Sequence, residues 1–104
     1  MGQYCMIEIA FDDMQDVRKT VDILLSKKLV ASTHIIGSDS SWNWNQEREN
    51  KKEYLLQVKT KTLNQQAIFD IVCSIHPYDC FEFAVYELTS ISKDYLQWIE
   101  REVI

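Results

Sequence analysis

A chain of 104 residues has room for one domain and a modest core. Its 46% apolar and 26% charged residues exclude a disordered segment, and no apolar run approaches the roughly 18 residues of a membrane span. Sixteen acidic against eleven basic side chains give a net charge of −5. That balance excludes nucleic acid as a natural partner and leans the surface toward cations.

The opening residues, MGQYCMIEIAFDD, hold no basic segment ahead of an apolar stretch, so no secretory signal is read there. Residues 3–10 then alternate as a strand, with Cys5, Ile7 and Ile9 on one face and Tyr4, Met6, Glu8 and Ala10 on the other. A helix follows, capped by Asp12 or Asp13. Met14, Val17, Val21, Leu24 and Leu25 recur along it at helical spacing, and Lys27 and Lys28 close it. LVASTHIIG reads as a second strand ending near Gly37. EYLLQVKTK reads as a third, with Tyr54, Leu56 and Val58 on one face and Leu55, Gln57 and Lys59 on the other. The polar residues between them form either a loop or a long hairpin with its tip between Asn45 and Asn50.

A second helix is expected over 63–75. Thr62 and Gln65 make a capping box, and Leu63, Ile68, Ile71, Val72 and Ile75 form its buried stripe. The only proline, Pro77, stops it, because the residue before a proline avoids helical angles. FEFAVYEL is a fourth strand, and Ser92 caps a closing helix carrying Tyr95, Leu96, Trp98, Ile99 and Val103. The order β-α-β-β-α-β plus a C-terminal helix predicts an α+β, ferredoxin-like antiparallel sheet with two helices on one face. The other face holds Met6, Leu55 and aromatics that two helices cannot hide. Either the third helix or other subunits cover it, and association is the expectation.

The segment IHPYDCFEF gathers His76, Asp79, Cys80 and Glu82. Imidazole, thiolate and carboxylate ligands are what Cu2+ or Zn2+ takes, so His76 and Glu82, with Cys80, are a candidate divalent-metal site. The plainer reading is a corner. Pro77 ends a helix, Tyr78 packs, Asp79 bonds within the turn and Cys80 is a small buried hydrophobe. His34, mid-strand, becomes a ligand only with a partner from another subunit. Three cysteines without a C-x-x-C spacing point to free thiols in a reducing cytoplasm. No Ser-His-Asp context or glycine-rich phosphate loop is present, so the chain is read as non-enzymatic.

KLVAS, W-N-W, EYLLQVKT, IHPYDCFEF and DYLQWI stand in an order and spacing that resembles the CutA family of divalent-cation-tolerance proteins, from Tyr4 to Ile99. The resemblance implies a single CutA-like domain over residues 1–104, a homotrimer, and a role in copper or other divalent-metal tolerance. It also implies likeness to the trimeric PII signalling proteins, whose clefts between subunits hold small molecules. A cleft of that kind is expected near Lys59, Trp44, Tyr78, Tyr95 and Trp98. On the first strand, where some members carry a cysteine implicated in copper binding, this chain has Glu8, which is thereby a further candidate metal ligand beside His76, Glu82 and Cys80. Under a trimer that covers its face, Glu8 needs a cation, and Lys59 on the neighbouring strand is the expected partner.

Overall fold

The computed structural model describes residues 2–104. In chain order the elements are β1 (Tyr4–Phe11), α1 (Met14–Ser26), β2 (Ser32–Trp44), β3 (Glu47–Lys61), α2 (Gln65–Ile75), β4 (Phe83–Glu87) and α3 (Lys93–Glu102). The strands form one antiparallel sheet in the order β2-β3-β1-β4, the ferredoxin-like arrangement expected from the sequence.

Alternation sorts the two faces of the sheet. Cys5, Ile7 and Ile9 of β1 and Leu56, Val58 and Thr60 of β3 point toward α1 and α2 and are fully buried. Val17 and Leu24 of α1 and Ile68 and Val72 of α2 close over them. Each such aliphatic side chain withdrawn from water contributes about 1.5–3 kcal/mol, so this layer is the main source of stability.

α1 starts on Asp13, whose side chain accepts from the Gln15 amide at 2.8 Å. It ends in a paired-bond stop. The Lys28 N–H donates to the Leu25 carbonyl and the Leu29 N–H to the Leu24 carbonyl, both at 3.0 Å, with Lys28 in the left-handed region at φ 58°. Leu25, placed on the buried stripe by its spacing, is 43% exposed.

β2 does not end near Gly37. It runs on to Trp44, and a two-residue turn at Asn45 and Gln46, φ 50° and 71°, leads straight into β3. The loop alternative is thereby replaced by a hairpin. β1 pairs with β3 only from Tyr54 to Lys61, so residues 38–44 and 47–53 pair with each other alone. They project as a two-stranded ribbon with no third strand, which is why every residue from Ser41 to Lys52 is exposed.

The start of α2 differs from expectation. Thr62–Asn64 forms a 3-10 turn, Asn64 takes the cap position without a side-chain cap bond, and the capping box does not form. The Asn64 amide is used elsewhere, donating to the Ile104 carbonyl at 3.1 Å. Leu63 leaves the buried stripe and is 79% exposed. Ser92 occupies the cap position of α3, again without a side-chain cap bond.

α3 lies on the second face of the sheet, at the end away from the ribbon. The Tyr4 hydroxyl donates to Glu100, the Lys61 ammonium to the Val103 carbonyl at 3.0 Å, and the Ser32 and Tyr95 hydroxyls bond at 3.1 Å. Ile99 and Val103 are buried there with Ala31. So α3 covers one end of this face, and the rest, from Met6 to the ribbon, is open.

A glycine at the left-handed Lys28 position removes a Cβ penalty while keeping both stop bonds. Lys28→Gly is therefore expected to raise unfolding stability by about 0.5–1 kcal/mol in urea denaturation. Gln46→Gly relieves the same strain at a tip that no third strand holds, and is expected to raise it less.

Candidate functional site on the open face of the sheet

The corner between α2 and β4 is built around His76. Pro77 forces His76 out of helical angles, to φ −66° and ψ 131°, and its N–H closes α2 on the Val72 carbonyl at 2.8 Å. The ring then turns inward, to 8% exposure. It stacks between Phe11, centroids 4.7 Å apart, and Phe81, at 4.3 Å and 10°. Nε2 lies 2.8 Å from the Ala10 carbonyl, which only accepts, so Nε2 carries the proton. Nδ1 accepts from the Tyr78 N–H at 3.3 Å.

Both ring nitrogens are thus engaged by backbone, and no lone pair is free for a metal. The expectation that His76 supplies a ligand does not fit this placement; the ring ties the corner to β1. Cys80, read as a small buried hydrophobe, is exposed, and so is Asp79. Among the described residues no group of three or more His, Cys, Asp and Glu side chains is disposed to hold a metal ion.

Two of the predicted ligands do meet. Antiparallel register sets Glu8 opposite Gln57 on one side and Ala84 on the other, and Glu82 follows two residues before Ala84 on the same face. The Glu8 and Glu82 carboxyls stand close enough to shift each other's protonation. Gln57 also donates to Glu8 at 3.0 Å, and the Tyr86 hydroxyl lies 3.5 Å from its other oxygen. Glu8 is held below the usual carboxylate range by the Gln57 bond and then by the Glu82 carboxyl. Glu82 is pushed up to about 7 by burial, next by the Glu8 carboxyl and its charge, and last by the charge of Glu53. Below about pH 7 the proton of the pair therefore rests on Glu82 while Glu8 stays ionised.

The predicted Glu8–Lys59 ion pair does not form. Both residues are on the open face, but Lys59 stands opposite Met6, one row away. The row of Glu8 instead runs His34, Gln57, Glu8, Ala84 across the four strands. His34 is exposed there, about 10 Å from Glu8 by strand spacing. Gln57, Tyr86 and Glu53 had not been singled out from sequence. The cross-strand register would have found Gln57; nothing local marks the other two.

The predicted small-molecule cleft divides into two places. Trp44 and Tyr78 line a cavity of about 1070 Å³ between the ribbon and the Pro77–Glu82 corner. Lys59, Tyr95 and Trp98 lie toward the far end of the face, where Tyr95 bonds Ser32 and its ring sits 5.5 Å from Trp98. Ser32 and Trp44 are the two ends of β2, about 40 Å apart by strand rise, so no single small molecule reaches both sets. The ribbon is fastened at its base by Lys51, whose ammonium is 2.5 Å from Asp12 and 3.1 Å from the Tyr78 hydroxyl. That hydroxyl also donates to Asp12, and these bonds, Lys51 first, hold the Asp12 carboxyl low.

The residues from 5 to 102 match the model of the CutA1 divalent ion tolerance protein family. This chain belongs to that family. The divalent-cation tolerance protein CutA of Salmonella newport is 35% identical over 77 residues, which is 73% of this chain and 67% of that protein. Among solved structures, the periplasmic divalent cation tolerance protein CutA of Archaeoglobus fulgidus superposes with a TM-score of 0.93 at 25% identity, over 97% of this chain and 99% of that one. The Thermus thermophilus divalent cation tolerance protein gives 0.91 at 25% identity, over 96% and 98% of the two chains. CutA1 of Oryza sativa, 21% identical, shares the fold over 98% of this chain and 94% of its own, with a TM-score of 0.92. The ferredoxin-like α+β fold of CutA1 proteins is therefore this chain's fold. Among the described residues no helix is long and apolar enough to cross a membrane.

If His76 is a packing and backbone-bonding residue, His76→Ala removes two ring stacks and leaves the Ala10 carbonyl unpaired. A loss of about 2–4 kcal/mol in chemical denaturation is expected, with affinity for divalent cations unchanged in the folded protein.

The carboxyl pair also sets a pH dependence. Glu82 holds its proton more tightly folded than unfolded, so the folded state binds more protons between about 4.5 and 7. Stability then falls as pH rises through that window, by on the order of 1 kcal/mol once solvent screening of this part-exposed group is allowed for. Glu82→Gln is expected to flatten the urea midpoint between pH 5 and 8; a midpoint that rises in wild type over that range contradicts a proton held on Glu82.

Proposed function

We propose that this CutA1-family protein is a non-enzymatic, homotrimeric binder of divalent cations in the cytoplasm, with Glu8 and Glu82 as its ligands. The observation that carries the reading is the pair of neighbouring carboxyls that the strand register sets side by side on the open face of the sheet, in a member of a divalent ion tolerance family. The donors here are oxygens. Two carboxylates with water completing the shell suit a hydrated divalent ion, while within one subunit neither the His76 imidazole nor the Cys80 thiol joins them. Neither Cys80 nor His76 belongs to the set. Gln57 and Tyr86 would hold Glu8 in place, and Glu53 adds negative charge without a direct contact.

A cation at this pair displaces the Glu82 proton, so binding releases a proton and strengthens as pH rises. The trimer is supported by what the face leaves uncovered: Ile36 at 44% exposure and Tyr86 at 47%, with Leu55 between their strands. The projecting ribbon points the same way, since an isolated two-stranded hairpin is marginal in water. In a trimer, His34 or a carboxylate of a neighbouring subunit is free to complete the shell. Three unpaired thiols, two of them exposed, suit a reducing compartment.

The test is calorimetric titration of Cu2+, Zn2+ and Mn2+ into protein whose mass by light scattering is three times 12.3 kDa. Wild type is expected to bind with proton release at pH 7, seen as a heat that depends on the buffer. Glu82→Gln and Glu8→Gln are each expected to weaken binding at least tenfold. Isotherms identical to wild type in both variants would remove the carboxyl pair from the site. A 12.3 kDa particle would remove the trimer.

A further inference from the structure

A ring of three copies is closed by one contact used three times, in which a patch on each copy meets a different patch on the next. The sheet has two different sides to offer, edge strand β2 and edge strand β4. The carboxyl pair belongs to the β4 side. Glu8 stands on β1 beside Ala84, and Glu82 lies on the approach to β4, its carbonyl 3.4 Å from the Ala10 N–H. Below the ribbon, the β2 side turns Ser32, His34, Ile36 and Ser38 toward the open face. Of these four, only His34 carries a strong metal ligand.

His34 is exposed, and its cross-strand neighbour Gln57 gives its amide to Glu8 at 3.0 Å. The imidazole does not serve the carboxyl pair of its own subunit. Gln57 stands between it and Glu8, and three strand spacings, about 14 Å, separate β2 from β4. The next copy is differently placed. A rotation about an axis along the strands leaves every row at its own level, so the row His34, Gln57, Glu8, Ala84 of one copy is continued by His34 of the next. With β2 of that copy beside β4, its imidazole starts about 5 Å from Ala84, about 8 Å from Glu82 on the diagonal and about 10 Å from Glu8. Ala84 carries only a methyl group, which leaves the space above it to the three longer side chains around it.

We propose that the cation site is completed across the seam between subunits, by Glu8 and Glu82 of one copy and His34 of the next. This rests on the trimer and the carboxyl pair proposed above, and it adds the third ligand and the class of ion. One imidazole nitrogen beside two carboxylate oxygens changes which ion fits. Mg2+ and Ca2+ keep to oxygen ligands, whereas imidazole suits Zn2+ and Cu2+. Three protein ligands with water in the fourth position suit tetrahedral Zn2+. Because the imidazole comes from the next copy, a lone subunit holds an incomplete site, and the ion binds the closed ring more tightly than its parts.

The experiment is calorimetric titration of Zn2+ and Mg2+ into full-length protein whose mass is followed by light scattering. His34→Ala is expected to weaken Zn2+ binding at least tenfold and Mg2+ binding less than twofold. His34→Gln, which keeps a polar side chain of similar length, is expected to do the same. Co-expression of a Glu8→Gln/Glu82→Gln chain with a His34→Ala chain, each with its own affinity tag, gives mixed trimers. Every mixed ring, whichever chain is in the majority, has one seam with both carboxyls and the imidazole. One Zn2+ of wild-type affinity per mixed trimer is therefore expected, and none in either parent trimer. Mixed rings that bind no more tightly than their parents overturn the shared site. So does a trimeric His34→Ala or His34→Gln protein with the wild-type Zn2+ isotherm. If Glu82→Gln is weakened in that same series, the carboxyl pair stands and only its third ligand falls. A wild-type protein that takes up no Zn2+ and no other divalent ion removes both readings.

Discussion

The bond from His76 Nε2 to the Ala10 carbonyl decides where everything else on the open face can be. It ties the turn after α2 to the end of β1, and the stacks on Phe11 and Phe81 make that tie directional. With the corner fixed, Glu82 enters beside β1 at the row where Glu8 points outward. Tyr78 is brought over Asp12 and Lys51, so the same corner also forms one wall of the ribbon cleft. A buried imidazole with both nitrogens bonded to backbone is a poor metal ligand and a good structural rivet. Here that role places the two carboxyls proposed above as ligands.

The sheet is asymmetric in what it hides. One face is filled by α1 and α2 with aliphatic side chains at close packing. The other is covered only at one end, by α3, through a small cluster around Ile99 and Val103. Chain topology accounts for this. Both β-α-β crossovers return on the same side, and α3, following edge strand β4, packs only at the end of the other face that holds Tyr4, Ser32 and Lys61. The uncovered remainder carries polar functional groups rather than a plain apolar patch. Gln57, Glu8, His34 and Tyr86 share it with Ile36 and Leu55.

Alternation made the faces legible in the sequence, and they came out as read: Cys5, Ile7 and Ile9 inward, Glu8 outward. The helices, the proline stop and the strand order followed from local pattern too. Register did not. A period of two cannot distinguish a residue from one two places along, so Glu8 and Lys59 were correctly put on one face and wrongly paired. Gln57 rather than Lys59 is the cross-strand partner. Leu63 failed for a related reason. Its helical spacing assumes 3.6 residues per turn, and the 3-10 turn at Thr62–Asn64 advances at three, so the phase is lost before α2 begins. The role of His76 was beyond local reading, because its partner, Ala10, is 66 residues away in the chain.

Charge and association on the open face are one problem. Glu82 already holds its proton to about 7 with the face in water, because Glu8 and Glu53 stand close and part of its hydration is gone. Covering the face with a second sheet removes more water and strengthens every repulsion among these carboxylates. The cost is lowest if the pair keeps its proton or exchanges it for a metal cation, and highest if both carboxyls stay ionised and bare. In the trimer proposed above, a divalent ion at Glu8 and Glu82 therefore relieves the same strain that assembly creates. By linkage, whatever the assembled state adds to cation affinity, the cation returns to assembly. A lysine at this position would neutralise the pair permanently. A glutamine in place of Glu8 would leave Glu82 as a lone carboxyl, without the second charge that makes the pair. The carboxyl pair, held by Gln57 and Tyr86 but not satisfied by them, is the arrangement that leaves room for an ion.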